Sequence, residues 1–225
     1  MMYAKISEIF SSIQGEGLYV GQPQVFVRFF GCNMLCKFCD ESRKRRFKEY
    51  SLDEVVSQVI EAGQKTVSLT GGEPLLQCDF LTELLPILKQ QGLSICLETN
   101  GILKDELSRI IKFVDIISMD MKLPSSTGMR PYWAEHRAFL KEAKFKCKNL
   151  FVKAVVTNNT TKNDIKRAAF IIKDIDQNIS FIIQPVSYNN RVEKIDLIQT
   201  FLDIARRHLL DVRVIPQIHK ILGVK

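Results

Sequence analysis

Cys32-Asn33-Met34-Leu35-Cys36-Lys37-Phe38-Cys39 is the stretch around which this 225-residue chain is organised. It follows the apolar run Val25 to Phe30 and Gly31, carries the polar Asn33 and Lys37 between its thiols, and is followed by Asp40. That pattern predicts a loop at the end of a buried strand. Three thiols at C-x3-C-x2-C spacing, with Phe38 before the last, suit three corners of a cuboidal iron–sulfur cluster and leave one iron without a protein ligand. A structural zinc site or an electron-transfer cluster normally takes four protein ligands. Three thiolates therefore predict a cluster that holds a substrate or cofactor at its fourth iron. The competing reading is three cysteines packed as small hydrophobes, which the polar interleaving disfavours.

Outward from this loop, strand-like runs fall near 25–30, 66–70, 94–98, 115–119, 150–156 and 180–184, with a short one near 212–215. Amphipathic segments lie between them, near 52–62, 79–91, 104–112, 133–145, 162–174 and 193–209. Ser51-Leu52-Asp53-Glu54 opens the first with a capping box, and Gly92 closes the second. Strand and helix alternating six times predict parallel strands joined by right-handed crossovers. With no dinucleotide glycine fingerprint, the α/β fold expected is an open, incomplete (β/α)6 TIM-like barrel. No repeat, low-complexity tract or Pro/Gly-rich linker divides residues 1–225, and 46% apolar content suffices for one core.

Ligands of a parallel barrel sit at the carboxyl ends of its strands. Thr70-Gly71-Gly72-Glu73-Pro74, Glu98-Thr99-Asn100-Gly101, Ser118-Met119-Asp120-Met121-Lys122, Thr157-Asn158-Asn159 and Gln184-Pro185-Val186-Ser187 all follow strand-like runs, so polar residues converge on one rim. Gly71-Gly72-Glu73 offers backbone groups and a carboxylate to an ammonium; the bland reading is a turn with Pro74 near a helix start. Asp120 and Lys122 would otherwise be a surface ion pair. Near the start, Gln14-Gly15-Glu16-Gly17 combines tight turning with an amide and a carboxylate, and alone would be a polar turn.

No apolar run approaches the length of a membrane span, and Ser12, Gln14 and Glu16 stand where a signal peptide needs apolar residues, so a cytoplasmic protein is expected. Six cysteines, three of them grouped, favour metal over disulfides; Cys78, Cys96 and Cys147 read as packing residues. The net charge of +7 fits nucleic acid, an anionic small substrate or lysine-rich helix faces. Arg43-Lys44-Arg45-Arg46 reads as a solvated loop, and no aromatic-interleaved stripe accompanies it, so nucleic acid is not expected.

The cysteine spacing, with the glycine-rich Gly71-Gly72-Glu73 some thirty residues on, resembles the radical S-adenosylmethionine (SAM) superfamily. The resemblance implies a [4Fe-4S] cluster on Cys32, Cys36 and Cys39. SAM would chelate its free iron through amino and carboxylate groups and be cleaved by one electron to a 5'-deoxyadenosyl radical. It implies SAM contacts from Lys37, Phe38, Cys39, Gly71, Gly72, Glu73, Glu98, Asn100, Ser118, Asp120, Lys122, Gln184, Pro185 and Ser187, with Asp120 and Lys122 at the ribose and carboxylate. Four further segments are similar, end to end, to the 7-carboxy-7-deazaguanine synthase family of the queuosine pathway: Ile13-Gln14-Gly15-Glu16-Gly17, Phe26-Val27-Arg28, Leu97-Glu98-Thr99-Asn100-Gly101 and Arg213-Val214-Ile215-Pro216-Gln217-Ile218-His219-Lys220-Ile221-Leu222-Gly223.

That resemblance implies a lyase acting on 6-carboxy-5,6,7,8-tetrahydropterin. Hydrogen is abstracted from C6, the ring contracts, ammonia leaves and SAM is regenerated. It implies substrate contacts from Ile13, Gln14, Gly15, Glu16, Arg28, Thr70, His219 and Lys225, and, within one domain of residues 1–225, an N-terminal substrate-binding segment of about 1–24 and a C-terminal lid tail of about 212–225. Arg28 would form a charge-assisted hydrogen bond to a carboxylate or carbonyl, where its ordinary role is a strand-end salt bridge. It also implies a homodimer and an electron donor such as flavodoxin or ferredoxin. The family usually places threonine after Cys-Asp, at a bridging Mg²⁺; here the run is Cys39-Asp40-Glu41-Ser42, so Glu41 is the candidate Mg²⁺ ligand, with Ser42 or water as alternatives. Two other readings remain open: an activase for a glycyl-radical enzyme, and an iron–sulfur redox sensor or nucleic-acid-binding regulator. The activase has no need of Gln14-Gly15-Glu16-Gly17 or Pro216-Gln217-Ile218-His219-Lys220, and the sensor or regulator leaves the convergent rim residues unexplained.

Overall fold

A computed structural model of the protein describes residues 2–39 and 46–225. The apolar runs form β2 (Pro23–Phe29), β4 (Thr66–Gly71), β5 (Ser94–Thr99), β6 (Ile116–Asp120), β7 (Asn149–Val156) and β8 (Ser180–Pro185), each parallel to the next. The short last run, β11 (Val212–Val214), adds a seventh parallel strand beside β8. At the opposite edge β1 (Tyr3–Ile13) pairs antiparallel with both β2 and β3 (Lys48–Ser51). The nine-stranded sheet runs β11-β8-β7-β6-β5-β4-β2-β1-β3 and does not close on itself.

The helices follow the predicted amphipathic segments: α1 (Leu52–Glu61), α2 (Cys78–Gln90), α3 (Lys104–Ile110), α5 (Trp133–Lys146), α6 (Lys162–Asp176) and α7 (Ile198–Arg206). The capping box of α1 forms as read, with the Ser51 and Glu54 side chains each meeting the other's backbone N–H. Two short helices, α4 (Pro124–Thr127) and α8 (Ile218–Leu222), were not expected. α7 is shorter than the predicted 193–209, because residues before it form the hairpin β9 (Ser187–Tyr188) and β10 (Arg191–Val192). Asn189 and Asn190 turn that hairpin at φ 49° and 60°, the left-handed region that asparagine tolerates. β1 spans eleven residues, and β3, with its polar Lys48-Glu49, was not expected.

Side-chain alternation gives the sheet two different faces. Val27, Leu69, Leu97, Ile117, Ala154 and Phe181 are buried under the helices in the main core. On the other face Cys96, Ile116, Phe151 and Ile182 form a small apolar layer, closed by Leu18, Tyr19 and Ile215. Two residues further along those strands, towards their carboxyl ends, the same face carries Glu98, Ser118, Lys153 and Gln184. The small apolar layer is therefore the floor on which a polar site is built.

Candidate active site

A cavity of about 320 Å³ lies over that polar layer. Cys32, Cys36 and Cys39 line one end of it, with Cys32 exposed and the other two half-buried. The glycine-rich turn after β4 holds this loop in place. Gly72 N–H donates to Phe29 O at 3.1 Å, Glu73 N–H donates to Gly31 O at 2.8 Å, and a Cβ on Gly72 would lie 1.9 Å from Gly31 O. Only glycine permits that approach.

Glu73 itself does not reach the cavity. Its fully buried carboxylate accepts from Thr99 Oγ1 (2.9 Å), Asn100 N–H (2.7 Å) and Leu75 N–H (3.1 Å), and burial pushes its pKa up to about 7. The expectation that this carboxylate meets a ligand ammonium is thereby corrected: it builds the turn, and Gly71 and Gly72 are what the motif presents. Three other expected SAM contacts also lie off the cavity lining, namely Ser118, Pro185 and Lys37. Lys37 instead donates its backbone N–H to Thr127 O at 3.0 Å, and its side chain runs along Gly128.

The donor set fits the implied groups. Among the described residues no three Cys, His, Asp or Glu side chains converge on a single-ion site, whereas a cuboidal cluster spreads its thiolates over separate irons. Burial raises the thiols of Cys32 and Cys36, the latter to about 11, so a metal must displace their protons to obtain thiolates. Beside them, Asn100 Oδ1, Asp120 Oδ1, Gln184 Oε1 and Ser187 Oγ are buried without a hydrogen-bond partner among the described residues. Unpaired buried polar atoms are costly. Four of them at strand ends around one cavity suit a ligand that carries hydroxyls, an amino acid end and a purine. The Lys122 ammonium pairs with Asp120 at 2.8 Å and lies 5.7 Å from the Phe38 ring centre.

The other end of the cavity is built from β1, β2 and the turn between them. Gln14 Nε2 donates to Glu98 Oε1 (2.8 Å), and Thr70 Oγ1 donates to Glu98 Oε2 (2.8 Å). Glu98, expected among the SAM contacts, is thus bonded to two residues of the substrate set. Arg28 lies 5.5 Å from the Phe10 ring centre and lines the cavity. Glu16 forms an ion pair with Lys153 and accepts from Gln217 Nε2 at 2.7 Å. Burial pushes the Glu16 carboxyl upward, but the Lys153 charge and the hydrogen bonds from Lys153 and Gln217 outweigh it and hold the group well below the carboxylate range.

Sequence reasoning missed Lys153. The signal was present, since a lysine inside Leu150-Phe151-Val152-Lys153-Ala154-Val155-Val156 sits on a strand buried on both faces and requires carboxylate partners. The tail folds back over the β1 end of the cavity. Ile218 N–H donates to Gly15 O (2.9 Å), Ser12 Oγ donates to Lys225 O (2.6 Å), and Lys225 Nζ is 3.2 Å from Glu8. A Cβ on Gly15 would lie 2.0 Å from His219 Nδ1, so this glycine is what lets His219 settle on the turn. His219, Lys220 and Lys225 all line the cavity, as does Ile13. Glu41, the candidate Mg²⁺ ligand, lies outside the described residues. No helix among the described residues is long and apolar enough to cross a membrane.

Comparison with known proteins agrees with this arrangement. Residues 26–172 match the model of the Radical SAM superfamily. The chain is 37% identical to 7-carboxy-7-deazaguanine synthase from Geobacter sulfurreducens, over 98% of this chain and 97% of that protein. It is 35% identical to the protein of the same name from Archaeoglobus fulgidus over the whole of both chains. Among solved structures, QueE from Escherichia coli superposes with a TM-score of 0.68 at 22% identity, covering 97% of this chain and 95% of that one. At that identity the likeness concerns the fold.

Proposed function

Since the chain belongs to the radical SAM superfamily and, within it, to the 7-carboxy-7-deazaguanine synthase family, we propose that it converts 6-carboxy-5,6,7,8-tetrahydropterin to 7-carboxy-7-deazaguanine with loss of ammonia. The observation that carries this reading is the mixed lining of a single cavity. Three thiols, the unpaired atoms of Asn100, Asp120, Gln184 and Ser187, and the polar side chains of Gln14, Glu16, Arg28, Thr70 and Glu98 all face it. When bound, the cluster and SAM supply the one-electron chemistry that removes hydrogen from C6 of the substrate.

The chain's own residues orient the pterin. Glu16 and Glu98 accept from its amino and amide N–H groups, each oxygen retaining lone pairs beyond its protein bonds. Arg28 donates to the substrate carboxylate as a charge-assisted pair. Lys122 and Asp120 hold the polar parts of SAM. The tail, through His219 and Lys220, excludes water and quenching solutes from the reacting centre. Electrons enter from a flavodoxin- or ferredoxin-type donor at the cysteine loop, where Cys32 is exposed and Leu35 is 78% exposed. Mg²⁺ would be held by Glu41, the candidate ligand outside the described residues.

The test is anaerobic incubation of cluster-reconstituted protein with SAM, a reductant, Mg²⁺ and 6-carboxytetrahydropterin, followed by mass spectrometry. The expected product is 7-carboxy-7-deazaguanine with an equivalent of ammonia. Cleavage of SAM with recovery of unchanged pterin would reject the substrate.

A further inference from the structure

Lys153 lines the cavity, with 10% of its side chain exposed, and pairs with a carboxylate from each of two distant segments, Glu16 and Asp120. β6 and β7 pair with Asp120 opposite Lys153, which brings its ammonium to 3.4 Å from Asp120 Oδ2 while it also pairs with Glu16. Asp120 in turn pairs with Lys122, and Glu16 takes the Gln217 amide from the tail. The result is a chain of alternating charge, from the tail through Glu16, Lys153 and Asp120 to Lys122. Both of its carboxylates line the cavity.

We propose that Lys153 is a positioning residue whose ammonium fixes the Glu16 carboxylate as an anion aimed at the substrate and braces it against Asp120 at the SAM end, without itself touching the substrate. The proposal rests on the reading of Glu16 as a substrate contact. Two features favour it over direct contact. The ammonium is already engaged by two carboxylates, and Glu16 comes from a turn that otherwise has only the tail to hold its side chain. Burial is the largest influence on Glu16 and raises its pKa, so losing the Lys153 charge shifts the carboxyl towards its protonated form, against only Gln217 and His219 from the tail. The charged and titratable groups that act on Glu16 are Lys153 from β7, Asp120 from β6 and His219 from the tail; Glu98 from β5 acts on Lys153.

A double-mutant cycle on 6-carboxytetrahydropterin affinity tests this. Calorimetric titration would use cluster-reconstituted protein with SAM and Mg²⁺ present and reductant omitted, so that no turnover occurs. Glu16→Gln and Lys153→Met should each weaken binding at least about tenfold, the size of one charge-assisted hydrogen bond. The double variant should bind within about twofold of Glu16→Gln, since independent effects would add. Lys153→Met should also make affinity fall more steeply towards acid pH than in the parent, as Glu16 takes up a proton more readily. The double variant should not show this added dependence, which separates Glu16 from His219.

If Lys153→Met does not fold, Glu16→Gln and the double variant still decide, because replacing both members of a buried pair is better tolerated than removing one. A double variant about tenfold weaker than Glu16→Gln would show that Lys153 touches the substrate and overturn the proposal. So would a Lys153→Met variant that binds like the parent. A Glu16→Gln variant that binds like the parent would instead reject the reading of Glu16 on which the proposal stands.

Discussion

Gln217 donates its side-chain amide to Glu16 Oε1 at 2.7 Å, across 201 positions of sequence. That bond joins the tail to the turn that carries the Glu16 carboxylate, and the Ile218 to Gly15 backbone bond runs beside it. The tail is therefore tied down by specific partners, in contrast to the usual frayed terminus. Deleting residues 218–225 should leave iron content and SAM binding unchanged but raise 5'-deoxyadenosine formed without product, measured by chromatography of both. Normal coupling together with normal pterin affinity would reduce the tail to a structural element.

Cys32→Ala, Cys36→Ala and Cys39→Ala should each abolish SAM cleavage, and the triple variant should lose its iron. Cys78→Ala, Cys96→Ala and Cys147→Ala remove thiols buried away from the cysteine loop and should retain both cluster and cleavage. Iron analysis and the visible absorption of the reconstituted proteins read this directly. Unchanged iron in the triple variant would contradict the ligand assignment.

Arg28→Ala should weaken pterin binding by about 1.5–3 kcal/mol, the cost of a hydrogen bond to a charged group, with SAM affinity little changed. Arg28 lies at the β1–β2 end of the cavity, over Phe10, which is why the effect should be selective. Equal losses in both affinities would place Arg28 elsewhere in the mechanism.

Glu73 predicts a pH dependence of stability. Its folded pKa of about 7 lies above its unfolded value of 4.5, so the native state binds the extra proton. The sign follows: its contribution to stability is fullest below pH 4.5, falls as pH rises, and levels off above about 7. The loss amounts to about 3 kcal/mol at one pKa unit per 1.36 kcal/mol. Glu73→Gln keeps an acceptor oxygen but not the titration. The difference in unfolding midpoint between it and the parent should therefore change across this window and stay constant above it. A constant difference at every pH would contradict the assignment.

What the sequence disclosed and what it hid divide along contact distance. The seven parallel strands, the six crossover helices and the cysteine loop follow from local periodicity and spacing, which the chain carries within single segments. β3 was invisible because Lys48-Glu49-Tyr50-Ser51 has little apolar character, and its strand conformation comes from pairing with Tyr3 to Ile6. The allegiance of Glu98 depends on Gln14, 84 positions away, and the role of Lys153 on Glu16, 137 positions away. Glu73 looked like a ligand in its motif, yet Thr99 and Asn100 claim it in the folded chain. Such partners become known only once the sheet order is fixed.

An enzyme whose one cavity joins SAM to a pterin and regenerates the SAM turns over many substrates for each SAM. The most direct measurement is the ratio of 7-carboxy-7-deazaguanine formed to SAM supplied, in an anaerobic reaction with excess 6-carboxytetrahydropterin, reductant and Mg²⁺. A ratio well above one is expected, with 5'-deoxyadenosine remaining a minor by-product. A ratio that stops at or below one while 5'-deoxyadenosine accumulates in step with product would contradict it.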